Sequence, residues 1–139
     1  MNAVELLRAG TRLLVAWVFL DAGVDVLRKP EPRAETAGHL FDALQGTVPG
    51  MPEDRLLLVR ANAGVQVVAG ALLALGVNPR ITAATLALSL IPTTIGGHAF
   101  WREDDAARKR QSRVHFNKNL AILGGLLLIV VAPRRRRIG

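Results

Sequence analysis

Asp21 and Asp25 stand one helical turn apart in an otherwise apolar stretch, so a helix there presents both carboxylates on one face. Arg60 stands near the front of a second apolar stretch, His98 near the end of a third, and His115, Lys118 and Asn119 open a fourth. Brought together, these groups could form a polar pocket in which Arg60 is the counter-ion of Asp21 or Asp25 and His98 exchanges protons near neutral pH. At one end of a helical bundle, such a pocket could hold a quinone or a small anion. The competing reading is a structural network that fixes helix register, with Arg60, Lys118 and His115 meeting water at an interface. Both readings stay open for Asp21, Asp25 and His98.

Other chemistries find little support. The histidines lack close ligand spacing, and His115 with Asn119 one turn on is no metal motif, so no metal is expected. Ser89 and Ser112 have no base in range that would mark a nucleophile. The glycines sit in apolar runs and form no phosphate loop. With no cysteine, disulfides and thiolate chemistry are excluded, and any redox role must use a bound cofactor or a partner. No residue can be assigned a catalytic role.

The elements that would position these residues follow from where charge is missing. Half of the 139 residues are hydrophobic, and residues 61–78, 81–101 and 119–133 carry no charge. Hydrocarbon about 30 Å thick needs about 20 apolar helical residues, which predicts spans at about 5–28, 56–77, 80–101 and 116–133 within one domain. The first is the weakest: Arg8 and Arg12 would snorkel at one end, and Asp21 and Asp25 would have to face other helices rather than lipid. Ala63, Gly64, Ala69 and Gly70 in the second span, and Gly124 with Gly125 in the fourth, predict close helix contacts. Pro92 predicts a kink in the third span, with Thr93 and Thr94 available to the backbone groups it frees.

Two connectors remain. Residues 29–54 carry Pro30, Pro32, Pro49 and Pro52 and cannot be a span, but Ala34, Ala37, Leu40, Phe41 and Leu44 recur at helical spacing. They predict an amphipathic interfacial helix that lies flat on the membrane or caps the bundle. Residues 103–114 run from acidic to basic, with Asp104/Arg108 and Asp105/Lys109 one turn apart, predicting a short solvated helix. The expected fold is therefore all-α: a four-transmembrane-helix bundle with an interfacial helix after the first span and a short polar helix between the third and fourth.

Spans that alternate in direction would gather Asp21, Asp25, Arg60, Asn62, His98, Trp101, His115, Lys118 and Asn119 at one end, with His39 on the connector beside them. The net charge of +7 sits at the ends of apolar runs, where Lys and Arg anchor helices at lipid head groups, so the lipid bilayer and not nucleic acid is the expected partner. The arginine run at 134–137 reads as a stop anchor and favours cytoplasmic termini. No cleavable signal segment is expected.

Pro92, Thr93 and Thr94, then Gly97, His98, Ala99, Phe100 and Trp101, then His115, Phe116, Asn117, Lys118, Asn119 and Leu120 up to Gly124 and Gly125 resemble the signature of the DoxX family of small bacterial membrane proteins, most closely its actinobacterial type. Phe19 to Arg28 with Pro30 also resembles the family's first helix. The resemblance implies a four-helix protein of the bacterial inner membrane, with His98, His115, Lys118 and Asn119 at the motif positions. It further implies an accessory or quinone-interacting subunit of a membrane redox or oxidative-stress assembly, since family members are associated with such complexes. Membrane or peripheral redox proteins, or a second copy of the chain, would be its partners. A non-catalytic scaffold or small-lipid-binding protein is the alternative, because family resemblance transfers fold better than activity.

Overall fold

The computed structural model describes residues 2–133, and the arginine run at 134–137 lies outside the described residues. Helix α1 (Ala3–Arg28) begins at a capping box: Asn2 Oδ1 accepts the Glu5 N–H at 2.9 Å while Glu5 Oε2 accepts the Asn2 N–H at 3.1 Å. It ends just ahead of Pro30, which has no N–H to continue the ladder. Two short helices follow, α2 (Glu31–Thr36) and α3 (Gly38–Gln45). Helix α4 (Arg55–Ala74) is capped by Asp54, whose carboxylate accepts the Leu57 N–H at 3.0 Å. A tight turn through Gly76 and left-handed Asn78 then admits α5 (Pro79–Gly97), with Pro79 in the first helical position, where its missing N–H costs nothing. A 3-10 turn (Phe100–Arg102) leads to α6 (Ala106–Val131).

The four long helices pack in the order α1, α4, α5, α6, and α6 barely returns to α1. Neighbours run antiparallel. Gly23 lies against Ala63 and Val67 while Gly70 lies against Ala16 and Phe19, and on the last pair His98 meets His115 while Arg80 donates to the Ala132 carbonyl. The ends near Arg28, Arg55, Gly97 and Ala106 are thus together, beside α2 and α3. Approach of α1 to α4 requires glycine: a Cβ on Gly23 would stand 2.7 Å from Val67 Cγ2 and 3.1 Å from the Ala63 carbonyl oxygen. The main core is built from small and branched side chains, Ala16, Phe19, Ala69, Leu73, Ala83, Leu86, Ala87, Leu90 and Leu126. A second cluster joins Ala34, Ala37 and Phe41 to Val59, so the amphipathic connector caps the bundle against α4 and α5. It does so as two helices, with the break at Ala37 and Gly38.

Three expectations need correction. The 103–114 stretch is not a separate helix but the first turns of α6: Asp105 caps it by accepting the Arg108 N–H at 2.8 Å, and no Gly or Pro interrupts the chain before Gly124. Gly64, Gly124 and Gly125 make no close helix contact, since a Cβ on any of them would meet nothing within 4 Å. Pro92 lies within continuous helix, and the Thr93 and Thr94 hydroxyls donate to the Ser89 and Leu90 carbonyls, one and two residues after Leu88, rather than to the Leu88 carbonyl that Pro92 leaves without its usual N–H.

The outward faces are apolar. Leu14, Trp17, Leu88, Leu128 and Val131 are each at least two-thirds exposed, and Leu126 is the one fully buried residue of α6. In water such a continuous surface would drive association; in hydrocarbon it is the natural exterior of helices whose backbone bonds are satisfied internally. Helix α4, the Pro79–Arg102 segment and α6 are each long and apolar enough to cross a membrane.

Candidate functional site

The charged residues singled out by spacing do not converge. Asp21 and Asp25 are exposed and border an open groove with Arg28, Lys29, Arg33 and Thr36, against α2. Arg60 is exposed and pairs with neither; the ion pair among the described residues joins Arg55 to Asp42. The carboxylates need no buried partner because α1 turns that face to an open groove rather than to the packed interior. On the other side of the bundle His98 stacks on His115, ring centroids 5.0 Å apart and planes 19° apart. Phe100, Trp101 and Phe116 pack edge to face beside them at 5.2–5.8 Å. Asn119, one turn after His115, donates to the Thr94 hydroxyl at 3.0 Å and ties α6 to α5, while Lys118 is exposed. His39, on α3, keeps a buried Nε2 without a partner.

The interior polar node lies elsewhere. Asn62 and Gln66 are one turn apart on α4, and both donate to the Thr93 hydroxyl of α5 at 3.0 Å. Gln66 Nε2 also reaches the Ser89 carbonyl at 3.5 Å, and Thr93 donates to that carbonyl at 3.0 Å. This pattern fixes the amide orientations. A carbonyl only accepts, so the single proton of Thr93 is engaged and its oxygen can serve the amides only as acceptor. Both amides must present N–H to it.

Asn62, Gln66 and Thr93 form one wall of a cavity of about 210 Å³ under α3. Val26, Leu40, Phe41, Leu44, Met51 and Leu58 make most of the remainder, with Arg33 at the connector end. Arg33 lies over the last turn of α5, where a Cβ on Gly97 would be 2.5 Å from its guanidinium. Burial lowers the Arg33 pKa from its ordinary value, but a guanidinium starts so high that it stays charged. His98 is not a lining residue. At about 30 Å³ per water, the cavity has room for about seven waters, or one small ring system. That is below the ~300 Å³ typical of drug-sized sites.

Spacing held the signal for Asn62 and Gln66, polar groups one turn apart in an uncharged apolar run, matched by Ser89 and Thr93 on the next helix. Arg33 carried none, because its reach into the cavity depends on how α2 folds back. Among the described residues no set of three or more His, Asp or Glu could hold a metal.

Apolar outer faces, three helices able to cross hydrocarbon and an enclosed polar node define a multi-pass, all-helical membrane protein. The DoxX family model matches residues 7–99, from α1 past the end of α5, and the chain belongs to the DoxX family. The matched residues include Asn62, Gln66, Thr93 and Gly97; the stretch from His115 to Gly125 lies beyond them. No curated protein and no solved structure matches the chain significantly.

Proposed function

We propose that this protein is an accessory, quinone-interacting subunit of a membrane redox or oxidative-stress assembly in the bacterial inner membrane. The observation that carries the reading is the cavity between α3, α4 and α5: its walls are apolar, its size suits a ring head group, and its polar groups converge from two helices. Arg33 and the second N–H of Asn62 can donate to a ring oxygen, and the side chains of Leu40, Phe41, Leu44 and Leu58 would hold the ring. A bound quinone would supply the redox chemistry that a chain without cysteine cannot.

In this reading α1 is the fourth span. Its 26 residues reach about 39 Å, and Arg8, Arg12, Asp21 and Asp25 lie toward its two ends. The α2–α3 cap then sits at the membrane interface with Asp21, Asp25, Arg60 and Lys118, and the termini are cytoplasmic. A reporter fused to the C-terminus tests that orientation.

Purification from native membranes in mild detergent, followed by solvent extraction, should recover quinone with the wild-type protein and much less with Asn62→Leu. Protein that carries no quinone under these conditions would sink the reading. The second reading, a scaffold with no ligand, draws on the outward-facing Gly124 and Gly125 of α6, which a partner helix or a second copy could approach closely. If cross-links in native membranes map to that face and Gly124→Leu abolishes them while quinone is absent, the scaffold reading holds instead.

A further inference from the structure

Arg33 and Val26 line both the cavity under α3 and the open groove between α1 and α2, so together they form the partition between the two. The Arg33 guanidinium is half-buried against the last turn of α5, yet it makes no hydrogen bond and no ion pair among the described residues. Asp21 and Asp25 border the same groove and still stand beyond ion-pair distance of it. Arg28 and Lys29 line that groove as well, so cations outnumber carboxylates around it.

A charge withdrawn from water without a counter-ion is a costly arrangement, relieved by any anion that can reach it. A neutral quinone offers the guanidinium a lone pair but no charge. A carboxylate offers both, through two parallel N–H···O contacts to the planar fork. Inside the partition, Leu40, Phe41, Leu44, Met51 and Leu58 would hold an apolar body, and about 210 Å³ admits one small ring or short chain. On the groove side Asp21 and Asp25 oppose a second negative charge, which disfavours a phosphate monoester, and Arg33 itself repels an ammonium. We propose that Arg33 is the anion-recognising residue of a binding site for amphipathic monocarboxylates, with the carboxylate held at the partition and the apolar body inside the cavity. Such an acid would occupy the same walls as a quinone ring, but its site rests on Arg33 and not on the quinone-class reading.

Calorimetric titration of the purified protein at neutral pH, corrected against empty detergent, compares para-ethylbenzoate with para-ethylbenzamide and with acetate. The first two differ in charge and little in shape; acetate keeps the charge and lacks the apolar body. Para-ethylbenzoate should bind about tenfold tighter than the amide, because hydrogen bonds between charged partners are the stronger kind. It should also bind at least about tenfold tighter than acetate, because its ring is buried. Added salt should weaken the acid and leave the amide unchanged. Arg33→Gln should bring acid and amide level, and Arg33→Lys, which keeps the charge without the fork, should fall between. An amide that matches the acid on the wild-type protein overturns the proposal without any variant, and so does an acid that binds no tighter than acetate or not at all. An advantage of the acid that survives Arg33→Gln places the anion elsewhere and overturns it too. Quinone recovered by extraction reports on the neutral ring separately, so failure of one reading leaves the other standing.

Discussion

Gln66 Nε2 on α4 lies 3.0 Å from Thr93 Oγ1 on α5, one turn from the parallel contact of Asn62 with the same oxygen. The two contacts pin the register of α4 against α5 in the part of the bundle where α5 carries Pro92. A slide of one residue would break both and leave two amides unpaired in an apolar surrounding, which is the costly outcome.

Thr93→Val tests this directly, because it preserves shape and removes the shared acceptor. Hydrogen bonds between helices in lipid average about 0.6 kcal/mol, so the loss of two predicts destabilisation of about 1 kcal/mol, more if the amides find no water. Thermal unfolding in detergent reads it. Thr93→Ser, which keeps the hydroxyl, should restore most of the stability; a Val variant as stable as wild type would mean that the amides repack at no cost.

The contact of α1 with α4 makes a second prediction. Gly23→Ala puts a methyl group 2.7 Å from Val67 Cγ2 and 3.1 Å from the Ala63 carbonyl oxygen. Val67 can turn away but the backbone oxygen cannot, so a loss of about 1–3 kcal/mol is expected. Gly64→Ala and Gly124→Ala are the controls. Neither new methyl meets anything within 4 Å, so both should be neutral or slightly stabilising through helix propensity. Equal behaviour of all three variants in an unfolding assay would refute the close approach.

Asp21 and Asp25 give the contrasting case. Both are exposed and without an ion-pair partner among the described residues, so Asp21→Asn and Asp25→Asn should shift stability by no more than about 0.5 kcal/mol. A loss of several kcal/mol in either would reveal a paired, buried carboxylate.

These outcomes bear on how much the chain discloses by itself. The apolar helices and the Asn78–Pro79 turn were legible because gaps in charge and a proline after a turn residue have a direct physical meaning. The start of α6 is not legible for the opposite reason: a change in charge pattern near Val114 is not a helix break, and nothing there removes a backbone hydrogen bond. Charge does not locate the interior polar groups. Asp21, Asp25 and Arg60 have the charges that burial would force together, yet all three are exposed, while the interior node uses neutral Asn62, Gln66 and Thr93. Only Asn119 and the stacked pair of His98 and His115 proved to join helices. Neutral amides and hydroxyls are easily missed in a sequence, because their meaning depends on which helix face they share across the packing.

A cavity formed by the cap also allows ligand binding to be separated from folding. Leu44 of α3 lines the cavity and has no polar side-chain atom, so Leu44→Trp would place a larger side chain into the 210 Å³ space while Asn62, Gln66 and Thr93 keep their own side chains. Filling empty apolar volume adds contacts where a void has none, so thermal stability should hold or rise by a few degrees. Quinone recovered by extraction should fall at least about fivefold, because the ring and the indole would compete for the same volume. The opposite pattern, a less stable protein that keeps its quinone, would place the ligand outside this cavity and return attention to the open groove between Asp21 and Thr36.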